Sequence, residues 1–239
     1  MTDAPICPAC HGTGFVLVDT GSGVDAARPC DCRRERLGRM RLAAARIPPR
    51  YEHCTFASFA PLNDSLAQAL ALARRVVEGF PGSERGLLFT GPCGVGKTHL
   101  AVATLRELVA ERGARGIFVE VNQLLRSLQD TFDRRAETAG REVLDPVLAA
   151  DVLLLDDVGV TRPTPWALET LGLVLNERYN RSALTLLTTN LPPEADGEHE
   201  SLADRLGARL VSRLAEMCWI VELRGSDFRR TVKAAEFHS

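Results

Sequence analysis

The sequence predicts an α/β protein, a parallel sheet covered by helices on both faces, preceded by a small metal-binding module. Three observations predict it. Short apolar, β-rich runs alternate with helical patterns from residue 64 onward. A glycine-rich loop, Gly91-Pro-Cys-Gly-Val-Gly-Lys-Thr98, lies between one such run and one such helix. Four cysteines fall within the first 32 residues. Alternation of this kind argues for a parallel sheet whose ligands lie at the carboxyl ends of the strands.

Composition sets the bounds. A chain of 239 residues, 45% hydrophobic and 25% charged, has room for one α/β core and an appendage. A net charge of −2 excludes global steering toward nucleic acid or membrane, so any such contact must come from local patches. No run of about 18 apolar residues occurs, and the N-terminus lacks a basic-then-apolar signal pattern. The expectation is a cytoplasmic protein with no membrane contact. Seven cysteines in such a chain point to metal or free thiols rather than disulfides.

The module comes first in the chain. Cys7-Pro-Ala-Cys10 and Cys30-Asp-Cys32 form two close pairs with 19 residues between them. Tetrahedral Zn²⁺ takes four thiolate or imidazole ligands brought together by tight turns, and Gly12 and Gly14 supply backbone freedom for one turn. The second pair has one intervening residue instead of two, an imperfect match to the common spacing. Four unrelated buried thiols are the alternative, but about 30 residues cannot build a core without a staple. With Cys7, Cys10, Cys30 and Cys32 all ligating, the site is closed and therefore structural. His11 could replace one cysteine, although it adjoins Cys10. Cys54, Cys93 and Cys218 read as small apolar residues.

From Arg28 to Arg50 the chain carries eight arginines against two acids. Leu37, Met40, Ala44 and Ile47 recur at helical spacing, with Arg36, Arg39 and Arg46 opposite. This is a connecting helix that docks on a partner or touches nucleic acid, or else a solvated basic face. Ile47-Pro-Pro-Arg50 ends it, because prolines deny the helix its donors. The expected division is therefore 1–48 for the module with its helix and 49–239 for the main domain.

Strands are expected at 86–90, 116–121, 151–156, 183–189 and 218–223. Helices are expected at 64–79, 97–112, 122–132, 141–149, 165–181 and 200–217, and Asp19 to Val24 and Pro192 to Glu200 read as loops. The glycine loop matches G-x-x-x-x-G-K-[ST] in the right context, between the strand at 86–90 and the helix that follows. Such a loop turns several amides toward one point at a helix N-terminus, where a phosphate chain can sit. Gly91, Gly94 and Gly96 let the backbone approach the phosphates, with Pro92, Cys93 and Val95 between them. Lys97 reaches the terminal phosphates, Thr98 holds Mg²⁺, and His99 follows in the first helical turn. These residues point to a nucleoside triphosphate, ATP, as ligand.

Asp151-Val-Leu-Leu-Leu-Asp156-Asp157 is an apolar strand ending in two carboxylates, 59 residues after Lys97. Asp156 at its exit can complete the Mg²⁺ shell, and Asp157 can orient or deprotonate a water. The strand at 183–189 ends at Asn190, which either positions the attacking water or is an ordinary turn asparagine before Leu-Pro-Pro. On the helix at 200–217, Leu202, Leu206, Leu210 and Leu214 make one stripe, with Arg205, Arg209 and Arg213 beside it. One of these arginines could act in trans on a neighbour's phosphate, or Arg213 could pair locally with Glu216.

Taken together, residues 51–239 resemble the AAA+ ATPases of the DnaC/DnaI helicase-loader group, which includes the IstB-like transposition helpers. The resemblance is carried by GPCGVGKTHLA at 91–101, LLLDDVG at 153–159, LNERY at 175–179, LLTTN at 186–190 and RLVSRLAEM followed by GSDFR at 225–229. Ile-Pro-Pro-Arg-Tyr at 47–51 is similar too. It implies a P-loop sheet with the Asn190 strand between those of the glycine loop and the paired acids. Asn190 becomes the sensor-1 residue, Arg213 the trans-acting finger, Arg229 a sensor-2-like arginine, and Arg178 a second candidate for an inter-subunit contact. The stretch at 122–148 falls where loaders and initiators carry a helical element facing single-stranded DNA. Here Arg126, Arg134, Arg135 and Arg141 are interleaved with five acids. Asp157 stands where many relatives have glutamate, implying slow hydrolysis, and only 49 residues follow Asn190, so the lid is minimal. The cysteine module is similar to that of DnaI-type loaders.

The resemblance implies an ATPase that assembles through its ATP sites, grips single-stranded DNA and loads the replicative DNA helicase. Two alternatives stand beside it: a transposition helper acting with a transposase on duplex DNA, and a nucleotide-gated adaptor with little hydrolysis.

Overall fold

The computed structural model describes residues 6–19, 21, 25–133, 137–159, 161–192 and 200–231. Five parallel strands form the main sheet: β3 (Gly86–Thr90), β4 (Gly116–Glu120), β5 (Val152–Asp156), β6 (Leu184–Thr188) and β7 (Cys218–Glu222). They are ordered β4-β5-β6-β3-β7, so β6 separates the strand of the glycine loop from the strand of the paired acids. The expected α/β architecture and this strand placement are both found.

The three inner strands read GLLFT, VLLLD and LTLLT, and every residue in them is buried. Because side chains alternate along a strand, each one feeds two cores. Leu87, Phe89, Val152, Leu154 and Leu186 face α2 (Asp64–Gly79) and α3 (Lys97–Ala110). Leu88, Leu153, Leu155 and Leu187 face the other layer: α4 (Val121–Asp133), α5 (Glu137–Ala149), α6 (Pro165–Asn180), α7 (Leu202–Leu206) and α8 (Ala208–Met217). Each fully buried leucine contributes about 1.5–3 kcal/mol, so polar atoms are tolerated only where the strands end. The functional chemistry is thereby confined to the carboxyl edge.

Helix starts follow local chemistry. Asn63 caps α2 by accepting from the Leu66 amide, and Thr164 caps α6 ahead of Pro165. Ser201 and Asp204 form a reciprocal capping box on α7. Helix α3 starts differently, at Gly96 in a left-handed conformation and with no side-chain cap. The expected helix at 200–217 is two helices, because Gly207, at φ 84°, breaks it.

The connecting helix α1 (Asp31–Ala44) packs on α3. Leu37 and Met40 are exposed, at 37% and 63%. The docked face is Gly38, Leu42 and Ala45, spaced i, i+4, i+7. A Cβ on Gly38 would stand 3.2 Å from the Ala110 carbonyl oxygen, so the absent side chain sets how closely the helices approach. Past the helix, the Ala45 carbonyl accepts from the Phe118 amide at 2.8 Å, tying the linker to the outer strand β4. The short helical turn Pro49–Tyr51 follows.

Ahead of α1, β1 (Phe15–Asp19) and β2 (Asp25–Pro29) form an antiparallel hairpin that periodicity did not announce. Arg33 lies 4.4 Å above the Phe15 ring. Among the described residues, no helix is long and apolar enough to cross a membrane. Arg134 and Arg135, and positions 193–199 of the second expected loop, lie outside the described residues.

Candidate nucleotide site and thiol cluster

Strand β3 leaves the core at Thr90 and the chain turns through three glycines with positive φ: Gly91 at 133°, Gly94 at 76° and Gly96 at 107°. Space as well as conformation demands glycine here. A Cβ on Gly91 would come within 2.1 Å of the Leu223 carbonyl oxygen, and one on Gly96 within 2.9 Å of the Phe59 ring. The segment after β7 lies against the same loop: Leu223 N–H donates to Thr90 O at 2.9 Å and Phe228 N–H to Gly94 O at 3.1 Å. Residues after the last strand thus hold the loop from one side, while Phe59 holds it from another.

Lys97 is 6% exposed, and its ammonium donates to Gly91 O at 2.9 Å and Pro92 O at 2.7 Å. The charge sits inside the bend of the loop. Cys93, read as a small apolar residue, is exposed in the loop, whereas Cys54 and Cys218 are buried. His99 turns toward the segment at 53–59, where its Nε2 lies 3.1 Å from Thr55 O and 3.2 Å from Ser58 Oγ.

Asp156 ends β5 with no exposed surface. Its Oδ1 accepts from Thr98 Oγ1 at 2.9 Å and from Thr188 Oγ1 at 2.7 Å, while Oδ2 is buried with no hydrogen-bond partner. Burial raises the pKa of Asp156 and neighbouring Asp157 adds to this; the two threonine hydroxyls oppose it. A buried carboxylate oxygen beside a threonine hydroxyl at the mouth of a phosphate loop is a hard donor set, and it fits Mg²⁺.

Asp157 holds a left-handed conformation at φ 59°, and its amide donates to Thr188 Oγ1 at 3.0 Å. Thr188 therefore holds the Asp156 carboxylate and the Asp157 backbone at once. Reading motifs residue by residue missed it; its place in LLTTN, two residues before Asn190, was the available signal. Asn190, half-buried, follows β6 at the same edge of the sheet, next to Thr189, whose hydroxyl donates to Val158 O at 2.7 Å. Glu120, which pairs in register with Asp156, is occupied otherwise: its carboxylate accepts from the Asn122 and Gln123 amides at the start of α4.

The arginines separate cleanly. Arg178 is fully buried and spans the amino ends of β5 and β6, donating to Thr185 Oγ1 at 2.8 Å, Ala150 O at 3.0 Å and Leu184 O at 2.6 Å. It lies at the opposite edge of the sheet from the loop, buried within its own chain. Burial depresses its pKa to about 10, still charged at neutral pH. Arg213 projects from α8 onto α6, hydrogen-bonded to Asn176 Oδ1 and 5.4 Å above the Tyr179 ring. Glu216 takes the Tyr179 hydroxyl at 3.0 Å instead of pairing with Arg213. Arg205 pairs with Glu200 at 2.7 Å and donates to Gly159 O. Arg229 sits in α9 (Phe228–Thr231), beside the loop by its backbone; its side chain lies outside the described residues.

In the module, Cys7, Cys10, Cys30 and Cys32 place their sulfurs within 4.8 Å of one another. Cys7 and Cys30 are 3.8 Å apart, Cys10 and Cys32 3.3 Å. A hydrogen bond from Cys32 leads the effects that lower the Cys10 pKa to about 6, while Cys32 is pushed up to about 12. The hairpin between the two pairs folds them onto each other, and the four thiols fit a tetrahedral zinc.

Comparison with known proteins agrees with this geometry. The family described as IstB-like ATP binding protein matches residues 27–235. The replicative helicase loader DnaC of Escherichia coli strain K12 is 26% identical over 193 residues, covering 80% of this chain and 75% of that protein. The putative ATP-binding protein of insertion sequence IS5376 from Geobacillus stearothermophilus is 30% identical over 174 residues, covering 70% of this chain and 65% of that one. A crystal structure of the DnaC helicase loader superimposes with a TM-score of 0.66 at 34% identity, covering 74% of this chain and 100% of that one. The chain belongs to the IstB-like ATP-binding protein family, the AAA+ group that contains the DnaC and DnaI helicase loaders.

Proposed function

We propose that this protein is an ATP-dependent loader of the replicative DNA helicase. The observation that carries the reading is the joined pair Thr98 and Asp156 at the mouth of an intact phosphate loop, in a chain that spans the whole of a DnaC loader structure. The loop amides and Lys97 bind the triphosphate, helped by Pro92, Cys93 and Val95 around it, while His99 contributes through its backbone, its imidazole being turned to Thr55 and Ser58. Thr98 and Asp156 hold Mg²⁺, which when bound offsets charge on the phosphate oxygens. Asp157 takes a proton from the attacking water, and Asn190 orients that water. Arg229 is assigned the sensor-2-like role, in the segment whose backbone packs against the loop.

Subunits assemble through their ATP sites, with Arg213 of one acting on the phosphate of the next. Its described contacts lie on the α6–α8 face, away from its own loop, as an arginine acting in trans requires. The assembly grips single-stranded DNA, and the N-terminal module, held by a structural zinc, carries the helicase. Loss of the γ-phosphate loosens the interface, so slow hydrolysis acts as a timer. We place the division between module and ATPase domain near residue 48, with the module's helix α1 docked on α3.

A transposition helper is the second reading, favoured by the 30% identity to the IS5376 protein. Co-purification from the native cell with ATP and Mg²⁺ present separates the two. Recovery of the replicative helicase supports the loader, and recovery of a transposase in its place overturns it.

A further inference from the structure

A second group of soft donors lies outside the four-cysteine module. His53, Cys54 and His99 each bring one ligand atom within 4.8 Å of the other two. Cys54 Sγ and His53 Nε2 are 3.8 Å apart. The two imidazoles stand edge to face, 6.0 Å between ring centroids. A tetrahedral ion with bonds of about 2.0–2.3 Å to nitrogen and sulfur holds its donors some 3.3–3.7 Å apart. Only small side-chain adjustments separate the observed geometry from that arrangement.

The surroundings suit ligation. Cys54 is 2% exposed, and its amide donates to Tyr51 O, fixing the turn that presents it. His99 comes from a separate element, the first turn of α3, and its Nε2 meets Thr55 O and Ser58 Oγ. Contacts of that kind orient a ligating imidazole. Burial raises the Cys54 pKa to about 11, partly opposed by Arg106, so an incoming ion must displace a thiol proton. Because His53 is exposed, one side of the cluster is open to solvent. A plain connector between this segment and α3 needs only the His99–Thr55 contact, not a buried thiol held against an exposed imidazole.

We propose that His53, Cys54 and His99 form a second, three-ligand site for a borderline-soft divalent cation, zinc in particular, with its fourth position open to water. The site fastens residues 53 and 54 to the helix one residue after Thr98. The same segment carries Phe59, which touches both Gly96 and the His99 ring. Metal occupancy therefore stiffens the segment that backs the phosphate loop.

The test uses the full chain without nucleotide, equilibrated with buffered zinc, desalted and analysed for metal. The expected content is two zinc ions per chain, falling to one in His53→Gln, whose exposed position spares the fold. A Cys7→Ser/Cys10→Ser chain should retain one ion, and its cobalt-substituted form should show a weak single-thiolate charge-transfer band that is lost when His53→Gln is added. One zinc or none in the unaltered chain overturns the proposal, as does a second zinc that survives His53→Gln.

Discussion

Thr98 Oγ1 and Asp156 Oδ1 are joined by a 2.9 Å hydrogen bond across 58 residues of sequence. That bond brings the first turn of α3 to the end of β5 and leaves Asp156 Oδ2 buried without a partner. The sign of its pH effect follows from the carboxyl pKa being raised on folding. The folded state holds this proton more tightly than the unfolded one, so the contribution of Asp156 to stability is greatest below the carboxylate range and declines as pH rises through it, opposite in sign to that of Asp151, whose pKa is lowered beside Arg115. Asp156→Asn should accordingly unfold at a higher temperature than the unaltered protein at neutral pH without nucleotide, yet lose magnesium-dependent ATP binding. Thermal scans from acid to neutral pH check the first half, and nucleotide titration with and without Mg²⁺ checks the second.

Gly91→Ala combines a positive φ with a 2.1 Å approach to Leu223 O. Backbone strain of about 1–3 kcal/mol is expected before the clash is counted. The loop must shift, so the melting temperature and ATP affinity should fall together. A variant that melts and binds like the unaltered protein would show that the segment after β7 does not press on the loop.

Arg178 and Arg213 should fail in different ways. Arg178→Ala leaves several buried carbonyls without their donor and should cost about 3 kcal/mol or more in chemical denaturation. Arg213→Ala removes a half-exposed contact and should cost under about 1 kcal/mol, while ATP hydrolysis is lost and ATP binding kept. Equal destabilisation by both would remove the distinction.

Asp157→Asn should keep ATP binding and fold normally, since asparagine tolerates the left-handed backbone that Asp157 adopts. Hydrolysis should drop about 100-fold or more if Asp157 is the base. Mixing Asp157→Asn with Arg213→Ala protein should restore part of the activity, because one of the two kinds of mixed interface pairs an intact base with an intact finger. No recovery in steady-state hydrolysis assays would count against a finger acting in trans.

Cys7→Ser removes one of four clustered thiols. It should release the module's zinc and unfold the β1–β2 hairpin, which has little buried apolar surface of its own. ATP affinity should be unchanged. Metal analysis, proteolysis and nucleotide titration on the same sample check all three.

The main sheet was legible because its inner strands are apolar runs buried on both faces, and their ends coincide with the loop glycines and the paired acids. Helix α2 was read to the residue, since Asn63 caps it and its apolar positions repeat cleanly. The docked face of α1 was not, because Gly38 carries no hydrophobic signal although its missing side chain is what permits the contact. Leu37 and Met40 drew the eye and lie exposed. The break at Gly207 was hidden in a continuous leucine spacing, and β1 and β2 were too short and exposed to show a period. Among the candidate site residues, motif spacing singled out the lysine and both acids, which the fold brings to the loop and to the end of β5. The role of Thr188 and the burial of Arg178 depend on contacts between distant segments, to which spacing along the chain is blind.

The central claim is that Lys97, Thr98, Asp156 and the loop amides enclose ATP with its Mg²⁺. Isothermal titration of ATP into the full chain with magnesium tests it most directly. The account predicts saturable heat with about one nucleotide per chain, abolished in a Lys97→Ala protein that still unfolds in a cooperative thermal transition. No heat from the unaltered protein, or the same isotherm from Lys97→Ala, would contradict it.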